Sequence, residues 1–167
     1  MNSRTQCVVF ACDELAFTAL EVIERQLRLN KLDAAFDAMS LIADATVRSA
    51  AMEAIAISQF NAGDRRGALH TANLIPYEIN CNGVLMHIAF AQARSGYVKG
   101  AIQTINRIKA QSRRDAVLLG VVLIRAGAHD VQGALAAANT MGSESARLRA
   151  YREIAHREIP QSEIARI

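Results

Sequence analysis

An all-α protein built from repeated helical hairpins is predicted by three features: abundant alanine, few helix breakers and self-similarity at an interval of 33 residues. Alanine, the best helix former, supplies 31 of the 167 residues, against nine Gly and two Pro. Apolar residues recur three and four apart, as in Met52-Glu53-Ala54-Ile55-Ala56-Ile57-Ser58-Gln59-Phe60, and do not alternate at period two. Shifting the chain by 33 lays Ile55-Ala56, Gln59, Gly63, Gly67-Ala68 and Ile75 over Ile88-Ala89, Gln92, Gly96, Gly100-Ala101 and Ile108. Gln26, Asn30, Ala35 and Ile42 stand one step earlier; Val121-Val122, Gly133-Ala134, Ala138 and Met141 one step later. Such an interval marks stacked units, each too small to bury its own apolar face.

Each unit reads as helix, tight turn, helix, loop. The expected units are 14–45, 46–79, 80–111 and 112–143, followed by a terminal helix 144–158 and a tail 159–167, all within one domain over 1–167. Gly63 and Gly96 end first helices because they enter the left-handed region without a Cβ penalty, and Asn30 is the next best substitute. Asp64 and Asp130 are the expected N-caps of second helices. Later first helices are expected to start at Asn82, at Ser112 with Asp115 as a capping box, and at Ser143. Pro76 stops the second helix before it. In the fourth unit Gly127 comes two residues early and His129 takes the glycine's place, so an altered turn is expected there.

Small residues at fixed points explain the stacking. Ala56, Ala89 and Ala155 let the first helix approach its neighbours, with Val122 the bulkier member. Ala35, Ala68, Ala101 and Ala134 do the same for the second helix. Ile42, Ile75, Ile108 and Met141 fill the joint between units. Gly67 and Gly100 are read as close-packing positions and not as a phosphate-cradling loop.

This pattern resembles the tetratricopeptide repeat family over about residues 14 to 158, through Ala56-Gly63-Ala68 and Ala89-Gly96-Ala101. It departs from the family at Gln59 and Gln92, where an aromatic is usual, in the absent closing proline, and in a period one residue short. The resemblance implies a right-handed α-solenoid whose first helices line a concave groove holding a peptide or helix of another protein. By the 33-residue step the groove collects Phe17, Leu20, Glu24 and Leu27, then Glu53, Ile57 and Phe60. Met86, Phe90 and Arg94 follow, then Leu119 and Leu123, then Arg149, Arg152 and His156. The competing expectation is that Phe60, Met86, Phe90 and Leu123 are core, or that Val8-Val9-Phe10 or a second copy fills the groove.

Charge is uneven. Residues 1–64 hold five cations and nine carboxylates, whereas 94–125 hold seven cations and one, within a net +3 and an isoelectric point near 9.0. Arg107, Lys109, Arg113 and Arg114 form the expected basic face. Nucleic-acid binding would need stacking aromatics beside it, and only Tyr97 is near. No stretch approaches the ~18 apolar residues of a membrane span, so no insertion is expected, and the start does not read as a signal peptide. Three cysteines, Cys7, Cys12 and Cys81, cannot all pair and fit no zinc spacing, which points to the cytoplasm. The four His are never four apart, and no nucleophile elbow occurs, so no metal, cofactor or catalytic residue is expected. The expected function is a non-enzymatic adaptor or chaperone-like module, in length like small bacterial secretion chaperones although those are acidic. The alternatives are a nucleic-acid-associated regulator using the basic face, or a structural homo-oligomer, with a homodimer the simplest case.

Overall fold

The computed structural model describes residues 18–158. Among them all regular structure is helical. A helix through 18–28 (α1) precedes α2 (Leu32–Ser40), α3 (Ala45–Asn61), α4 (Arg65–Leu74), α5 (Glu78–Arg94), α6 (Val98–Ile105), α7 (Gln111–Gly127), α8 (Val131–Asn139) and α9 (Glu144–Glu158). Long helices thus begin at 45, 78, 111 and 144, and short ones at 32, 65, 98 and 131. The chain divides into two compact units between Val84 and Leu85, inside α5.

The turn from long to short helix is the same at four places. Asn30, Gly63, Gly96 and His129 have φ of 56°, 92°, 83° and 57°. The N–H of the following residue reaches back to Gln26, Gln59, Gln92 and Arg125 carbonyls, each at 2.9 Å, closing the helix C-terminus in the Schellman manner. The expected altered turn at His129 is therefore not found. Histidine is among the side chains that tolerate the left-handed region, so the backbone keeps its path without glycine.

Short helices start as expected at Asp64 and Asp130, whose Oδ1 atoms accept from Gly67 and Gly133 N–H at 2.8 and 2.9 Å. A Cβ on Gly67 would come within 2.7 Å of the Asp64 carboxyl carbon and of Gln59 Nε2 in α3, so this glycine makes room for a capping side chain and for the neighbouring helix. Gly100 makes room for the Tyr97 ring in the same way. Long helices depart further from expectation. Asn82 caps nothing: α5 starts four residues earlier, and Asn82 lies buried within it. Ser112 is not a cap either, since α7 begins at Gln111 after Ala110, which offers no side-chain bond. Asp44 caps α3 by accepting from Val47 N–H at 2.8 Å. Ser143 stands before α9, its Oγ 3.5 Å from the Ala146 nitrogen. α4 ends at Leu74, just ahead of Pro76.

The core is the Ala/Ile set. Ala35, Ala68, Ala101 and Ala134 are fully buried, as are Ala56, Ala89 and Val122; Ile42, Ile75, Ile108 and Met141 are buried too. Ala155 is the exception. It is exposed, because no described helix follows α9 to cover it. In the first unit, Ile23, Ala35, Ile42, Ala51 and Ile55 form one cluster, flanked by Leu20, Leu27 and Phe36. In the second, α7 packs on α6, α8 and α9, and α8 packs on α6 and α9. Each fully buried isoleucine contributes about 2–3 kcal/mol of transfer free energy.

Candidate functional site

Three polar devices recur at the 33-residue step and fix which side chains remain for a partner. The first joins long to short helix: Gln59 Oε1 accepts from Thr71 Oγ1 at 2.7 Å, and Gln92 Oε1 from Thr104 Oγ1 at 2.9 Å. Glutamine thus ties the two helices of each hairpin together. One step earlier the threonine's place is taken by Ala38, and Gln26 Oε1 is buried with no partner among the described residues.

The second device was missed from sequence. Arg48, Arg114 and Arg147 each donate through Nη1 to the carbonyl six residues before, that of Ile42, Ile108 or Met141, at 3.3, 2.6 and 3.2 Å. Each guanidinium closes the end of the short helix that precedes its own. The spacing of three arginines at multiples of 33 was the available signal; Cys81 stands at the remaining place. Arg114 also donates to the Lys109 carbonyl at 2.7 Å and to Gln111 Oε1. It is half-buried and spent, so it leaves the basic face, which keeps exposed Arg107, Lys109 and Arg113.

The third device is a buried polar residue in each of α3, α5 and α7: Ser49, Asn82 and Asp115. Asp115 is 5% exposed, and its Oδ1 accepts from Gly142 N–H at 2.9 Å and Gln111 Nε2 at 2.8 Å, its Oδ2 from Ser143 N–H at 3.0 Å. Burial alone would raise its pKa, but these donors and the Arg114 charge outweigh it and hold the carboxyl below its ordinary value. Asp130 is held low too, first by the Gly133 N–H and then by Arg125, which pairs with it at 2.8 Å and donates to the Ala93 carbonyl at 3.0 Å.

None of the groove candidates in the described residues is buried. Leu20, Glu53, Ile57, Phe60, Phe90, Leu119 and Leu123 are half-exposed; Glu24, Met86, Arg94, Arg149, Arg152 and His156 are exposed. Several of them are engaged within the fold: Leu20 packs on the first-unit core and Glu24 pairs with Arg28. Glu53 Oε2 accepts from Asn80 Nδ2 at 2.7 Å, and the Phe90 ring covers Gly120, where a Cβ would lie 2.6 Å from it. Phe17, the Val8-Val9-Phe10 run, Cys7, Cys12 and the tail 159–167 lie outside the described residues.

Among the described residues, clefts open between successive long helices in both units. Between α1 and α3, Glu24, Leu27, Arg28, Ala54, Ile57, Ser58 and Asn61 line a shallow open cleft of about 310 Å³. Between α7 and α9, Ser112, Asp115, Ala116, Leu119, Ser143, Ser145, Ala146 and Arg149 enclose about 420 Å³. Among the described residues no three His, Cys, Asp or Glu side chains gather to hold a metal ion, and no helix is long and apolar enough to cross a membrane. Comparison with protein-family models, curated proteins and solved structures finds no match to this chain.

Proposed function

We propose that the chain is a non-enzymatic protein-interaction module, a tetratricopeptide-like right-handed solenoid of about four hairpins and a terminal helix, that captures a peptide or helix of another protein. One observation carries the reading: each unit has a cleft between successive long helices whose wall carries a half-exposed apolar side chain, Ile57 in one and Leu119 in the other. Leu119 and Ile57, half-exposed on those walls, gain by being covered. The Ala/Ile core holds the walls at fixed spacing, so a partner would pay little for ordering the site. The basic face supports nucleic-acid binding less well, since Arg114 is committed to carbonyls and the basic stretch 94–125 holds a single aromatic residue, Tyr97, besides Phe-free α7.

Affinity capture from a native lysate, with Leu119→Glu as the control, tests the reading. The wild type is expected to retain a protein partner that the variant loses, at unchanged helicity and melting temperature. Equal recovery by both folded proteins would sink it. Leu119 is a better probe than Phe90, whose ring also closes the joint over Gly120.

A further inference from the structure

The two clefts differ in charge. In the α1–α3 cleft, Arg28 already pairs with Glu24 at 3.6 Å, so that lining is neutral. In the α7–α9 cleft, Arg149 meets no carboxylate within ion-pair distance among the described residues; nor does Arg152, one helical turn further along α9 and also exposed. The carboxylate that does line this cleft, Asp115, has both oxygens filled by Gly142, Ser143 and Gln111 donors and lies beside Arg114. It is no counter-ion for Arg149. The cleft therefore offers an aliphatic floor, Leu119 between Ala116 and Ala146, next to uncompensated guanidinium groups and the Ser112 hydroxyl.

We propose that the α7–α9 cleft selects an acidic segment of a partner protein, with Asp or Glu carboxylates on Arg149 and Arg152 and an adjacent aliphatic side chain on Leu119. This rests on the reading of the cleft as a partner site. Guanidinium binds carboxylate through two parallel N–H donors, and an apolar wall beside it gives the neighbouring side chain of the same segment a place to bury. No aromatic lines the cleft to stack a base, which favours a protein segment over a nucleic-acid strand.

The experiment is fluorescence anisotropy with a labelled eight-residue peptide alternating Glu and Leu, its Gln/Leu counterpart, and a labelled single-stranded oligonucleotide. The Glu peptide is expected to bind about tenfold more tightly than the Gln peptide, with affinity falling as salt rises. Arg149→Gln with Arg152→Gln, both at exposed positions, should remove that preference, and Leu119→Glu should remove binding altogether. Equal binding of the two peptides, still sensitive to Leu119→Glu, overturns the acidic preference and leaves the cleft as a site. No binding of either peptide overturns both. An oligonucleotide that binds more tightly than the Glu peptide and is lost in the double variant overturns the proposal in favour of nucleic acid.

Discussion

Gln26 shows what one missing hydroxyl does. Its counterparts Gln59 and Gln92 are satisfied by Thr71 and Thr104, while Ala38 leaves its buried oxygen without a donor among the described residues. Ala38→Thr should therefore raise stability by about 1 kcal/mol, and Thr71→Val should lower it by about 1–3 kcal/mol by orphaning Gln59. Urea midpoints at constant m-value check both. Asp115 makes the pH prediction. Its folded pKa lies below the unfolded value of about 3.9, so its contribution is complete above that value and is lost as pH falls through the folded one. Asp115→Asn should cost about 1–3 kcal/mol at pH 7. The gap to wild type should stay constant down to about pH 5 and shrink below about pH 4. A gap unchanged at pH 3 would contradict the assignment.

At the scale of elements, turns and caps decide where each helix ends. His129 holds a left-handed backbone that glycine holds at Gly63 and Gly96. His129→Gly should stabilise by roughly 0.5–1 kcal/mol, relief of the Cβ penalty exceeding the added chain entropy. Arg114 and Arg113 are neighbours in α7 with opposite expected outcomes. Arg114→Ala removes donors to two carbonyls at the end of the segment after α6 and should cost about 1–2 kcal/mol. Arg113→Ala, on the exposed face, should stay within about 0.5 kcal/mol. Thermal melts of the pair check the distinction. The left-handed turns were legible because few residues tolerate that conformation. The starts of α5 and α7 were not, because the expected caps Asn82 and Ser112 do not cap: Asn82 is drawn into a buried polar position within α5, and α7 begins at Gln111 after Ala110.

Across the whole molecule, stability rests on joints between helical hairpins. Ile108 is fully buried where α6 gives way to α7, so Ile108→Ala should cost about 2–5 kcal/mol, read as a drop in urea midpoint. Leu119→Glu, one helix later on a half-exposed wall, should leave the midpoint nearly unchanged while altering binding. That contrast separates core from candidate surface. The sequence placed Leu119, Leu123, Ile57 and Phe60 on the same helices, and could not say which were covered.

What the residues alone determined is the local grammar: helix-forming alanine, left-handed turns at Asn30, Gly63 and Gly96, caps at Asp64 and Asp130, and apolar joints at Ile42, Ile75, Ile108 and Met141. These depend on interactions within a few positions of each residue, or on a period that chain order preserves. Packing in three dimensions decided the rest. It turned Arg114 inward to carbonyls, engaged Glu53 with Asn80, laid Phe90 over Gly120 and left Arg149 without a counter-ion among the described residues. Each of those outcomes depends on an atom supplied by a distant or neighbouring turn of chain, and a side chain's identity does not say which atom will be within 3 Å of it.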